Sequence, residues 1–140
     1  MVYINRIADL VGKQFKDGGR GPDSFDCWGL TLEVFKRYNI RLPDYQISCH
    51  NTAAVNGEME RQRSEWRRCT DEIPVPALVA IAFEPGIVQH SGVYIGSGQF
   101  IHAYEKTGNV VINRIHDVFW RRAIEGFYVP GWLNDSDCYS

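Results

Sequence analysis

The chain has 140 residues, 44% of them hydrophobic and 13% aromatic, which is enough for one domain with a buried core and too little for a second. A formal net charge of -2 leaves no basic footprint, which argues against nucleic acid or an anionic membrane as a partner. No apolar run approaches the roughly 18 residues of a membrane span, and Asn5, Arg6 and Asp9 interrupt the start where a signal peptide would be apolar.

The expectation is therefore a protein made in the cytoplasm without a signal peptide and without membrane insertion. Work outside that compartment would need a carrier such as a secretion machine, a phage particle or lysis. Ile4, Ile7, Ala8 and Val11 recur at helical spacing, which predicts an amphipathic helix over about residues 3 to 12, stopped by Gly12. Lys13 to Ser24 is a loop, with Gly18, Gly19, Gly21 and Pro22 permitting unusual backbone angles.

The loop delivers the chain to Phe25-Asp26-Cys27-Trp28-Gly29-Leu30, where Asp26 can cap a helix whose first turn holds Cys27. Such an end presents unpaired N–H groups and about half a positive charge, which predicts a Cys27 thiol titrating below the free value of about 8.5. Leu30, Val34 and Tyr38 share the inward helix face with Cys27, Asn39 is the stop, and Gly29 would leave room beside the sulfur for a substrate backbone. Leu42-Pro43-Asp44-Tyr45 turns the chain away.

Residues 46 to 76 carry the weakest pattern and are assigned as a variable insertion within a single domain spanning 1 to 140. Asn51 to Arg68 reads as one exposed helix and Ile73 to Pro76 as an extended connector. Arg61, Arg63, Arg67 and Arg68 are offset by Glu58, Glu60 and Glu65, a solvated face rather than a binding patch, with Trp66 as the anchor to the body.

After Pro76 come short β-rich runs at Leu78 to Phe83, Ser91 to Ile95, Phe100 to Tyr104, Val110 to Ile115 and Gly126 to Val129. Helices followed by strands predict an α+β fold, with the Cys27 helix packed on an antiparallel meander of five or six strands. Asn134 to Ser140 is expected to be a loose tail. Of the four cysteines, Cys49 and Cys69 are the pair to name if a disulfide forms, although free thiols fit the compartment better. No Cys or His pair has the spacing of a zinc loop, so neither a metal nor another cofactor is expected.

Two histidines fall in the strands, His90 and His102. If Gly96-Ser97-Gly98 is a three-residue hairpin loop, Gly92 faces His102 and both histidines share a sheet face on a diagonal of about 7 to 8 Å. A two- or four-residue loop would put them on opposite faces. Cysteine, base and orienting group would then form a nucleophilic constellation. Each residue also has an inert reading, since buried cysteines and strand histidines usually serve only packing.

Gly12-Lys13-Gln14-Phe15-Lys16-Asp17-Gly18-Gly19, Phe25 to Leu30, His90-Ser91-Gly92-Val93-Tyr94-Ile95-Gly96 and Phe100-Ile101-His102-Ala103 together resemble the motifs of the NlpC/P60 cysteine peptidases. Leu42 to Tyr45 and Trp28 resemble the phage-tail-associated branch of that family. The resemblance implies a papain-like core in which Cys27 attacks, His90 is the general base and His102 orients it. It also implies a peptidoglycan stem-peptide substrate cut between γ-D-glutamyl and diaminopimelyl or lysyl residues.

Asp26, Phe15, Trp28 and Ser91 are the candidate substrate contacts, Asp26 either as the helix cap or as the partner of a substrate amine. Phe15 stands where the family usually carries a tyrosine. The implied setting is the cell wall or periplasm, with phage tail proteins as partners. Two other readings stay open, a structural tail-assembly protein and a cysteine amidase or acyltransferase on the same core.

Overall fold

The computed structural model describes residues 6–45 and 51–132. Within them the first expected helix is present in its second half, α-helical at Arg6 and Ile7 and tightening to a 3-10 turn at Ala8–Leu10. Ile7 and Leu10 are its buried residues, while Ala8 and Val11 face solvent and Ile4 lies outside the described range. Gly12, at φ 92, ends the turn. Two-residue strands follow, β1 (Gln14–Phe15) and β2 (Ser24–Phe25), paired in parallel with Phe15 opposite Phe25.

The helix that carries Cys27, α1 (Cys27–Arg37), has the predicted limits. It buries Cys27, Leu30, Thr31, Val34 and Phe35 as one face. Its end is a Schellman turn: Asn39 sits at φ 65, its N–H donates to the Lys36 carbonyl and that of Ile40 to Phe35.

The exposed helix expected from Asn51 to Arg68 is shorter and less exposed than that. It runs as α2 (Thr52–Gln62), gives way to a 3-10 turn at Arg63–Glu65, and becomes strand β3 (Trp66–Arg68). Trp66 decides the change by packing edge-on against Phe35 at 6.3 Å and Trp132 at 6.2 Å. Arg67 and Arg68 keep their charged ends exposed, as an edge strand allows.

The remaining elements are β4 (Ala77–Ile81), β5 (His90–Gly96), β6 (Gln99–Tyr104), β7 (Asn109–Arg114), a short helix α3 (Val118–Ala123) and β8 (Ile124–Pro130). Strands β4 to β7 form the expected meander. The sheet, however, has eight strands in the order β2-β1-β7-β6-β5-β4-β8-β3, rather than five or six, and the parallel β1–β2 pair makes it mixed. Returning β8 pairs with β4 and extends the sheet to β3. Helix α1 packs on one face, where Leu30, Val34 and Phe35 meet Val93, Ile101 and Ala103. On the other face Val79, Ile81 and Phe100 pack with Trp120 of α3.

The β5–β6 hairpin reaches the predicted register by another route. The turn has two residues, Ser97 and Gly98 at φ 55 and 73, so Gly96 faces Gln99. A β-bulge at Ile95 then absorbs one residue, and Tyr94 faces Phe100 and Val93 faces Ile101. The bulge makes up for the turn being one residue shorter than expected, so His90 and His102 share a face after all.

Candidate active site

Cys27 enters the site because the chain between β1 and α1 folds back on itself. Asp26 caps α1, its Oδ1 accepting from the Gly29 N–H at 2.7 Å, while Oδ2 accepts from the Gly18 N–H at 3.0 Å. Arg20 donates to the same Oδ1 at 2.7 Å and forks onto Asp44 with two bonds of 2.9 Å. One carboxylate thus joins the loop, the helix and the segment after it. Both of its oxygens are engaged and the residue is 1% exposed, so the geometry is that of the cap. Asp26 also lines the cleft that holds Cys27.

Gly29 also has a different role from the expected one. A Cβ built on it would lie 2.0 Å from the Gly19 carbonyl oxygen, so the space beside the helix is filled by the loop backbone rather than held open for substrate. Gly92 is similarly filled, because a Cβ there would meet the Ile101 carbonyl at 2.9 Å and the His102 Cβ at 3.0 Å. The two glycines permit close contacts, helix to loop and strand to strand.

Ser91 fastens the strand to the helix. Its hydroxyl lies 2.9 Å from the Thr31 hydroxyl and donates to the Cys27 carbonyl at 3.4 Å. Trp28 donates from Nε1 to the Pro43 carbonyl at 2.9 Å and stacks on Tyr45 at 5.0 Å, which explains why the Leu42 to Tyr45 segment folds over the helix start. Phe15 packs at the edge of the main core and is not part of the cleft described next.

That cleft has an empty volume of about 450 Å³ and brings together Asp26, Cys27, Trp28, His90 and Ser91. Val55, Glu58 and Met59 of α2 form its other wall. The segment from 51 to 62 therefore closes over the cysteine. The side chain of Asn56 anchors it, accepting from the Val88 N–H at 2.9 Å. An adjoining cavity of about 710 Å³ shares Trp28, Tyr45 and Met59 and continues past Trp66 and Tyr128.

The histidines meet directly. His90 Nε2 lies 2.8 Å from His102 Nδ1, and His102 Nε2 lies 2.8 Å from Asn113 Oδ1 on the next strand. The pair is tighter than a strand diagonal because the rings tilt toward each other, with centroids 5.0 Å apart. Aromatic rings pack around them: Phe83 stacks on His90 at 5.6 Å, Phe100 on His102 at 4.6 Å, and Trp120 meets His102 edge-on at 4.9 Å. Asn113 was not among the residues singled out from the sequence. It sits in an alternating strand where a polar side chain reads as solvent-facing, and only its place opposite Phe100 brings it to His102.

Burial governs the titration of all three reactive groups. It pushes the Cys27 thiol up to about 11, helped by the negative charge of Asp26 and opposed by hydrogen bonds from Ser91 and the Trp28 amide. This reverses the lowered value expected from the helix terminus, because the buried Cys27 thiol loses more from desolvation than the helix end returns. Burial, and next the neighbouring His102, hold His90 well below 6.5. Burial lowers His102 to about 4, partly opposed by its bond to Asn113. The resting pair is therefore a thiol and a neutral imidazole.

Of the expected pair Cys49 and Cys69, and of the expected tail 134 to 140, Cys49 and the tail lie outside the described residues. Among the described residues no helix is long and apolar enough to cross a membrane, and no cluster of three or more His, Cys, Asp or Glu could hold a metal ion.

The model of the NlpC/P60 family matches residues 12–129. A probable endopeptidase p60 of Listeria seeligeri is 32% identical over 117 residues, covering 84% of this chain and 20% of its own length. The murein DD-endopeptidase MepH of Escherichia coli K12 is 29% identical over 128 residues, 89% of this chain and 44% of its own. Among solved structures, an NlpC/P60 family protein from Bacillus cereus ATCC 10987 superposes with a TM-score of 0.65 at 21% identity, over 89% of this chain and 38% of that one. The chain thus spans about a fifth of the length of the first relative and under half of the second.

Proposed function

Because this chain belongs to the NlpC/P60 family, we propose that it is a cysteine endopeptidase of peptidoglycan peptides, with Cys27 as nucleophile and His90 as general base. The observation that carries the proposal is the shared cleft: Cys27 and His90 line one cavity, and the far nitrogen of His90 is already held by His102. That contact occupies Nε2 and leaves Nδ1 as the ring atom available to the thiol.

Since the resting groups are neutral, proton transfer accompanies attack instead of preceding it. His90 takes the thiol proton as sulfur bonds to the amide carbonyl carbon. The oxyanion develops beside the N-terminus of α1, where backbone N–H groups and the helix dipole oppose its charge. His90 returns the proton to the departing amine as the carbon–nitrogen bond breaks. Water, deprotonated by the same ring, then hydrolyses the thioester and releases the acid and the free thiol.

The E. coli relative's name specifies a D,D-bond, whereas the motif resemblance points to the γ-D-glutamyl–diaminopimelyl bond. We assign the latter, and assign the protein to a phage tail acting at the cell wall. Trp28 and its Pro43–Tyr45 cover support that assignment, being the structural form of the tail-branch motif. Mass spectrometry of muropeptides after digestion of purified sacculi tests the bond. Fragments ending in γ-D-glutamate are expected, and products of D,D-cleavage alone would reject the assignment.

A further inference from the structure

Cys27, His90 and His102 are joined by a residue that the sequence motifs do not contain. We propose that Asn113 is a positioning residue which fixes the tautomers of both histidines, so that His90 presents an unprotonated Nδ1 to Cys27. The proposal rests on the Cys27–His90 reading above and deepens it.

A relay of two short contacts carries the inference. An amide oxygen only accepts, so with Asn113 Oδ1 at 2.8 Å the proton of His102 must sit on Nε2. A neutral imidazole has one N–H, which leaves His102 Nδ1 as a lone pair. His90 Nε2, 2.8 Å from that lone pair, must then donate. The single proton of His90 is thereby placed on Nε2, and Nδ1 is left free to accept.

Reversing the amide would reverse the chain. An NH2 group at the Oδ1 position would donate to His102 Nε2, His102 Nδ1–H would donate to His90, and His90 would turn an N–H toward the thiol. The relay also requires both rings to be neutral, since an imidazolium at His102 would donate from both nitrogens. The structure supplies that condition. Among the described residues, the groups packed against His102 are His90 from β5, Phe100 and Tyr104 from β6, Asn113 from β7 and Trp120 from α3. None of these is charged at neutral pH, and burial keeps His102 at about 4. The stacked Phe100 ring and the edge of Trp120 hold the imidazole plane in line with both partners.

The test compares the wild type with Asn113→Leu and Asn113→Asp by long-range 1H–15N spectra of the histidines and by the pH profile of muropeptide hydrolysis. In the wild type both rings are expected to be Nε2–H tautomers. Asn113→Leu should mix the tautomers and lower kcat by about 10- to 100-fold with little change in KM, the size seen when a metal-bound histidine loses its outer partner. Asn113→Asp keeps an acceptor and should rescue kcat on the alkaline side. Its charge raises the pKa of His102, so the acid limb of the profile should move up by about one pH unit or more.

A wild-type spectrum with His90 protonated on Nδ1 would overturn the proposal, as would Asn113→Leu with unchanged tautomers and kcat. If the wild type shows no turnover while both rings are Nε2–H and mix in Asn113→Leu, the hydrolase reading fails and the tautomer assignment stands. Should Asn113→Leu not fold, the wild-type spectrum and the Asp variant still decide it.

Discussion

Acid should unfold this protein through its two buried histidines before its carboxylates begin to titrate. His102 is fully buried and its pKa falls from 6.5 to about 4, while His90 is 7% exposed and is held well below 6.5. In the unfolded chain both rings take up a proton as pH drops through the ordinary value, but in the folded chain they do not. The unfolded state then binds more protons, so stability is complete above about pH 6.5 and is lost as pH falls toward the folded value.

At about 1.36 kcal/mol per pH unit below the unfolded pKa, His102 alone removes about 2 kcal/mol between about pH 7 and about pH 5. His90 adds to the loss in the same direction. Against the 5–15 kcal/mol or so typical of a folded domain, the effect is large and measurable. Urea unfolding followed by tryptophan fluorescence at both pH values reads it, and His90→Asn should make the pH dependence shallower. A stability change under about 0.5 kcal/mol in the wild type would mean that the rings take up protons freely when folded. The dry aromatic setting described for them would then be wrong.

Gly29→Ala should force the Lys13 to Ser24 loop off the helix, because its Cβ would lie 2.0 Å from the Gly19 carbonyl oxygen. A loss of about 2 kcal/mol or more is expected in thermal unfolding, well above the usual helix gain of alanine over glycine, and a stabilised variant would contradict the contact. The rate of Cys27 alkylation by iodoacetamide should rise with pH toward a midpoint near about 11 rather than level off. A plateau already reached below about pH 8 would show a thiolate at rest, and with it an ion pair in place of the neutral thiol and imidazole.

Much of this site could be read from residue pattern, and what escaped has identifiable causes. Helix α1 was legible from end to end because its cap, its apolar spacing and its Asn39 stop agree with one another. The histidine register was also legible, although the hairpin achieves it with a two-residue turn and a bulge, which composition cannot distinguish from a three-residue loop. Strands β1 and β2 were missed since two residues carry no period, and only pairing makes them strands. Strand β3 was missed because Arg67 and Arg68 look like a continued helix face until Trp66 is seen to pack.

The thiol illustrates a different limit. A helix N-terminus is a local feature and visible in sequence, whereas desolvation depends on everything folded over it, including Val55, Glu58 and Met59 from a segment with little pattern. The distant groups dominate at Cys27. Asn113 was hidden for a similar reason, being opposite Phe100 in register and polar in a strand that alternates.

The central claim is that the Cys27 sulfur forms the bond to the substrate. Its most direct test is kcat/KM on a purified muropeptide for Cys27→Ala against the wild type, with circular dichroism to show that both are folded. A fall of about 1000-fold or more is predicted, since deleting a nucleophile leaves only the contribution of binding and the oxyanion site. A folded Cys27→Ala that hydrolyses the substrate within a few-fold of the wild-type rate would contradict it.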